Sequence, residues 1–431
     1  MNIKSILKNK TAKNAGWIIG EKIVQMVVSL LVGILTTRYL GPSNYGLISY
    51  ANSFTAFFAA FCTLGINSLM VKELVDNDED EGKVIGTSIV LRAVASLLSV
   101  ITIILSVSLI DYGESTTIAV VALCSLGLFF HVFDAFKYWF QRRLQSKFTV
   151  IAAFVAYLIT ATYRVILLIT GSSVIWFALA TSVDYVCLAI LLFIFYKKNN
   201  GPKMSFSWSY GKDLFSRSKH FILASLMVSI YAQTDKLMLK QMIGSEDVGF
   251  YASATTINGM WCFILAAIID SVYPSIMEAH KAGNEEEFNR KNRQLYAIIF
   301  YVSMGAAVLF NIFAELVIFI LYGREFLPSA MPLRIICWYT AFSYLGVARN
   351  AWIVSKNVQK HLIKIYAAAA VANVILNVTL IPLLGASGAA LASLMAQVLT
   401  GFVLPFFIKD LRPNAILMFE AIILKGIKKE K

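Results

Sequence analysis

Charge is what this sequence has least of. Asp, Glu, Lys and Arg make up 15% of its 431 residues, against 58% hydrophobic residues; the mean hydropathy is +0.70. A soluble domain of this length could not hide so much apolar surface. Long polar connections are also lacking, which leaves no room for a catalytic domain outside the apolar runs. The four histidines (His131, His220, His280, His361) are scattered and suggest no metal set. The five cysteines fall inside apolar runs without ligand or disulfide spacing, so core packing is their expected role. "EGKV" and "YGKD" lack the upstream glycine and the following Ser or Thr of a phosphate-binding loop, and no nucleotide site or cofactor is expected. The apolar runs do not alternate with polar residues, which excludes an outer-membrane barrel.

What is present is a series of long apolar segments. Runs of 18 or more apolar residues read as membrane-spanning helices, so the fold class is an all-α polytopic membrane protein. About twelve spans are expected, near 17–40, 45–70, 84–110, 116–139, 149–170, 173–196, 220–242, 249–277, 295–321, 331–355, 361–383 and 386–408. The first run follows a basic start, lacks a small-residue cleavage site and reads as a span rather than a leader. The longest internal connection, "KKNNGPKMSFSWSYGKDLFSRSK", divides six spans from six. Four regions follow: a first six-helix lobe at 1–196, a cytoplasmic linker at 197–219, a second six-helix lobe at 220–408 and a basic amphipathic tail at 409–431.

The excess of Lys and Arg (38 against 25 Asp and Glu) is a matter of placement. Basic residues crowd the N-terminal start, the even-numbered connections and the tail; the opposite connections carry Arg38, Lys236, Lys240 and Arg324. Positive residues favour the cytoplasmic side, which puts both termini in the cytoplasm. The basic balance is therefore topology, and no nucleic-acid partner is expected. The "MNIKSILKNK" start and the tail "NAILMFEAIILKGIKKEK" read as interfacial helices with lysines toward anionic headgroups.

Three landmarks recur. Gly41 and Gly46 in "YLGPSNYGLISYA" return 203 residues later as Gly244 and Gly249 in "MIGSEDVGFYASA". The acidic stretches "DNDEDEG" and "GNEEEF" follow in order, and then "YWFQRRLQSK" and "AWIVSKNVQK", which align Trp139 with Trp352. An even-numbered half leaves both copies in one orientation, so the repeat is parallel, with its axis along the membrane normal. Glycine supplies the turned backbone of each hairpin.

"TTRYLGPSNYGLISYANSF", "TLGINSLMVKEL", "YWFQRRLQSKF" and "TDKLMLKQMIGSEDVGFYASA" resemble the Wzx-type polysaccharide (O-antigen) flippases of the MATE-like multidrug, oligosaccharidyl-lipid and polysaccharide exporter superfamily. The likeness runs along nearly the whole chain. It departs at "RRLQ", where that family often has an acidic residue. The resemblance implies a bacterial cytoplasmic-membrane transporter rather than an enzyme. Its substrate would be a polyprenyl-diphosphate-linked oligosaccharide, its other contacts membrane lipids and a polysaccharide polymerase, and its state monomeric. Some members couple transport to a proton or sodium gradient.

Charged residues inside spans are costly to bury and usually face protein or a water-filled cavity. Arg92 lies roughly 12 Å beyond the cytoplasmic start of the third span, and Arg349 roughly 9 Å from the cytoplasmic end of the tenth. Arginine pairs bidentately with phosphate oxygens and keeps its charge. Arg92, Arg164, Lys236 and Arg349 are therefore the candidate substrate-binding residues, expected to line a cationic cavity. The alternatives are an ion pair of Arg164 with Asp184 on the next helix and snorkelling of Arg349. Asp235 and Asp270 are candidates for binding a coupling proton or sodium ion; Lys240 is an alternative partner for Asp235. The expected function is a flippase working by alternating access for surface polysaccharide synthesis. The competing readings are a drug or organic-cation antiporter, whose cavity would be acidic and aromatic, and a membrane glycosyltransferase or polymerase.

Overall fold

The computed structural model describes residues 10–77 and 80–426. The interfacial reading of the N-terminal start, up to residue 9, and of the last lysines, from residue 427, lies outside the described residues. The described chain is helical and contains no strand. It divides into two compact units, one made of the chain up to Leu40 with Leu47–Ser229, the other of Gly41–Gly46 with Ile230–Lys431.

The first unit begins with α1, Lys10–Cys62, which is two helices joined at Gly41 (φ 68°, ψ 174°). That backbone suits glycine, and Pro42 beyond it tolerates a first-turn position because its missing N–H would be unpaired anyway. Then come α2 (Asn67–Asp76) and α3 (Glu81–Ile110). The expected fourth span is broken into α4 (Ser115–Ser125), a 3-10 segment (Leu126–Asp134) and α5 (Ala135–Arg142). Helices α6 (Lys147–Thr170) and α7 (Val174–Lys198) follow.

The 197–219 connection is held down within this unit. Ser205 donates its N–H to the Gly82 carbonyl (3.1 Å), and Glu73 accepts Arg217 at 2.5 and 3.1 Å and the Tyr210 hydroxyl at 2.8 Å. The Glu73 carboxylate raises the Arg217 pKa, and burial pushes the Tyr210 phenol well up. The core beside it is aromatic: Trp139, Phe136, Phe140 and Tyr196 are fully buried. The Trp139 indole donates to Glu81 (2.9 Å), which also binds Arg142 and Arg143. The "RRLQ" departure thus supplies cations to a buried carboxylate from the acidic stretch.

The second unit contains α8 (Trp208–Met242) from Ile230 on, α9 (Ser245–Lys281) and α10 (Glu285–Tyr322). Gly244 (φ 146°) forms the hairpin before α9. Then come a 3-10 turn (Arg324–Ser329), α11 (Ala330–Ala348), α12 (Asn350–Ser355) and α13 (Lys360–Leu384). The expected twelfth span is α14 (Ala386–Gln397), a π segment (Val398–Val403) and a 3-10 turn (Leu404–Phe407). Asp247 accepts the Ala386 N–H (2.8 Å), so a carboxylate sits at the α14 N-terminus, where the dipole favours it. The buried face of α14 is nearly all small: Ala386, Gly388, Ala389, Ala390, Ala392, Ser393. Small residues let helices pack closely where hydrocarbon offers no hydrophobic drive.

The tail forms α15, Arg412–Ile422. It buries Leu417, Met418 and Ala421, and Asn414 donates to the Tyr296 hydroxyl on α10 (2.7 Å). One face of the expected interfacial helix is therefore a packing face, while Ile416, Phe419 and Ile423 stay exposed.

Eight described helices or broken helices are long and apolar enough to cross a membrane. The other four expected spans correspond to the two arms of α1, to α8 and to α11 with α12. The chain is a multi-pass membrane protein.

Candidate functional site

Four polar side chains from three other helices of the second unit meet at Asp235, which is buried on α8. Oδ1 accepts Asn373 (3.0 Å) and Asn377 (2.7 Å) from α13. Oδ2 accepts the Tyr251 hydroxyl of α9 and the Ser393 hydroxyl of α14, both at 2.5 Å. Asn373 and Asn377 are one helical turn apart, so they share a face, and Asn377 also donates to Asn373 Oδ1 (3.0 Å). A second rung lies one turn away, where the Tyr231 hydroxyl donates to Gln397 Oε1 (3.0 Å).

All four donors to Asp235 are neutral. A buried carboxylate is costly unless it is hydrogen-bonded, and these four donors meet both of its oxygens. The oxygens around it are hard ligands of the kind alkali ions take: the carboxylate, the amide oxygens of Asn373 and Asn377, and two hydroxyls. Asn377 Oδ1 is buried with no hydrogen-bond partner. Lys240, the alternative partner, is buried further along α8. Asp270 is not part of the cluster; it lies exposed on α9. Lys236 follows Asp235 on α8 and is partly buried, with no hydrogen bond or ion pair among the described residues.

Arg92 on α3 is 1% exposed. Its Nη2 donates to the His131 carbonyl in the 3-10 segment (3.1 Å). Its Nε and Nη1 have no acceptor, and neither has the buried Ser96 hydroxyl one turn along α3. Asp134, a carboxylate whose charge acts on Arg92, already holds Lys137 (2.8 Å) and His131 (3.3 Å). Arg349 of the second unit is also buried. Its Nη1 donates to the Gly401 carbonyl in the π segment (2.9 Å), and its Nε is unpartnered. The snorkelling alternative for Arg349 does not describe this side chain. Arg164 is half-buried on α6 and makes no ion pair with Asp184 among the described residues; Asp184 instead accepts the Thr160 hydroxyl (3.2 Å). Thr160 lies one turn before Arg164 and reaches the carboxylate first.

Sequence reasoning named Asp235 but missed Tyr251, Asn373, Asn377 and Ser393. The available signal was the Asn373 and Asn377 pair, four residues apart in an otherwise apolar run.

The match to known proteins is broad. The family model described as "Polysaccharide biosynthesis protein" covers residues 11–280. The chain is 24% identical over 279 residues to "Lipid II flippase MurJ" of Bacillus subtilis, which takes in 58% of this chain and 51% of that protein, so the match spans about half the length of that relative. It is 20% identical to "Capsular polysaccharide biosynthesis protein CapF" of Staphylococcus aureus, covering 89% of this chain and 96% of the other. Among solved structures, a lipid II flippase MurJ in an inward closed conformation superposes with a TM-score of 0.74 at 14% identity, covering 95% of this chain and 91% of that one. Since the family model takes in well over half of its residues, this chain belongs to the polysaccharide biosynthesis protein family.

Proposed function

We propose that the protein is a flippase that moves a polyprenyl-diphosphate-linked oligosaccharide from the cytoplasmic to the outer leaflet by alternating access, for surface polysaccharide synthesis. The observation that carries this reading is family membership, supported by a likeness to a capsular polysaccharide protein along 89% of the chain. The protein would act as a monomer in a bacterial cytoplasmic membrane, with both termini cytoplasmic, and would hand its product to a polymerase. The two six-helix lobes, 1–196 and 220–408, would be its working parts.

In this reading, Arg92 and Arg349 serve the phosphates. Their free guanidinium N–H groups favour this, because an arginine already satisfied on all sides has nothing left to offer an oxyanion. Arg164 and Lys236 are secondary candidates. Asp235 would bind the coupling proton or sodium ion, while the exposure of Asp270 gives it less support.

The test is reconstitution in proteoliposomes with a defined polyprenyl-linked glycan in the inner leaflet, read by accessibility to an impermeant glycosidase. Glycan should become accessible faster than in protein-free vesicles; equal rates would reject the flippase reading. Arg92→Ala should abolish translocation while the protein inserts normally. Arg92→Lys should keep about a tenth of the rate, since it retains charge but loses the fork. Full activity in Arg92→Ala would remove Arg92 from the site.

A further inference from the structure

The first unit carries a groove with a wholly apolar lining. Phe130, Phe133, Ala189, Ile190 and Phe193 enclose about 260 Å³. Its walls are the 3-10 segment Leu126–Asp134 and helix α7. Both lie in segments long and apolar enough to cross a membrane, Ser115–Arg142 and Val174–Lys198. Ile190 is 53% exposed, so the groove opens outward from the unit's core. With no polar atom in the lining, hydrocarbon suits it and water does not.

The two walls run in the same direction. Contacts between them advance together along both walls: Cys124 with Ala178, Phe133 with Phe193, Phe136 with Tyr196. One turn beyond a groove phenylalanine on each wall stands a lysine: Lys137 after Phe133, and Lys197 after Phe193. Because the walls are parallel, both lysines lie at the same end, the end where basic residues crowd. The Lys197 ammonium stands 5.6 Å from the Phe193 ring centre and is exposed. The Lys137 side chain is 37% exposed; Asp134 takes one of the ammonium's three donors at 2.8 Å and leaves two. An apolar slot that ends in two cations at the membrane surface has the chemistry of one lipid chain with a phosphate head.

We propose that this groove binds one acyl chain of an anionic bilayer phospholipid, with its phosphate held by Lys137 and Lys197. Such a lipid carries both parts in one molecule, and the exposed Ile190 leaves the slot open on one side. The proposal does not rest on the transport reading, although Asp134 links Lys137 to the surroundings of Arg92.

The full chain, stripped of lipid in a neutral detergent, can be titrated with phosphatidylglycerol or phosphatidylcholine and bound lipids counted by native mass spectrometry. The protein should hold phosphatidylglycerol at least about fivefold more tightly, the effect expected for one lysine at an anionic head. Lys137→Gln with Lys197→Gln should erase that preference. Ile190→Trp, made at an exposed position, should fill the slot and lose one bound lipid with the fold intact. No preference in the native chain, or a preference unchanged in the double variant, would overturn the proposal. So would displacement of phosphatidylglycerol by equimolar polyprenyl phosphate, which would give the groove to the transported lipid's tail.

Discussion

The two units share one polar device and differ in another. Each buries an arginine that donates to a main-chain carbonyl where a helix leaves α geometry: Arg92 to His131 in a 3-10 segment, Arg349 to Gly401 in a π segment. Such segments strand carbonyls that need a donor in a membrane, and a guanidinium provides one while keeping others in reserve. The second unit adds a mid-helix carboxylate, Asp235, held by neutral donors from three other helices. The buried arginine thus recurs in both units, while the hydrogen-bonded cluster around Asp235 belongs to the second.

The largest effect should come from Asp235, and it separates function from stability. Asp235→Asn removes the charge and keeps the shape. The Asn amide nitrogen can stand where Oδ2 does, because the Tyr251 and Ser393 hydroxyls can turn to accept from it. The variant should therefore melt no lower than the native chain, while gradient-driven transport falls about 100-fold, the upper range for loss of a key ligand or its support. The check is a thermal melt beside vesicle transport with an imposed proton or sodium gradient. A lower melting temperature with transport intact would make Asp235 a structural residue and erase the contrast between the units.

A second test compares the two units at their acidic stretches. In the first unit Glu81 is buried among Arg142, Arg143 and Trp139. In the second, Glu285 is 60% exposed and pairs with Lys356 alone, at 2.5 Å. Breaking a buried ion network leaves uncompensated charge and costs about 3 kcal/mol; an exposed pair is worth about 1 kcal/mol or less. Glu81→Gln should thus destabilise strongly and Glu285→Gln barely, as read by denaturation in detergent. Equal losses would show that the two clamps do the same job.

Much of the frame was legible in the sequence because it rests on local rules. Gly41 and Gly244 sit at turns with positive φ, and apolar run length predicts spans whatever their partners. The aligned Trp139 and Trp352 both proved to be core residues. The site was legible only in part. Asp235 stood out as a charge in a span, but Ser393 lies 158 residues away and Asn373 138, so their meeting depends on how helices pack. The break at Leu126–Asp134 contains no proline; a guanidinium from another helix holds the carbonyl it frees. The 197–219 stretch read as a plain connection, because nothing local announces that Glu73 will capture Arg217.

The smallest expected effect concerns Asp410, just beyond the last span of the second unit. It accepts a hydrogen bond from His361 (2.8 Å) and lies 3.7 Å from Lys360. The His361 hydrogen bond, with smaller help from Lys360 and Lys409, holds its pKa below the ordinary value of 3.8. A carboxylate depressed in the folded state binds protons more readily when unfolded. Its contribution is therefore complete above the unfolded value and is lost as pH falls through the folded one. Asp410 is fully exposed, so solvent screens the pair and the contribution stays small. Asp410→Asn should melt slightly lower than the native chain at neutral pH. The two curves should converge as pH falls below about 4, the ordinary carboxylate value. The native Glu73 clamp, with its carboxylate buried, is the internal contrast: Glu73→Gln should lower the melting temperature by far more at neutral pH. An Asp410→Asn loss as large as that would show the tail anchored by this exposed pair rather than by the packing of Leu417 and Met418.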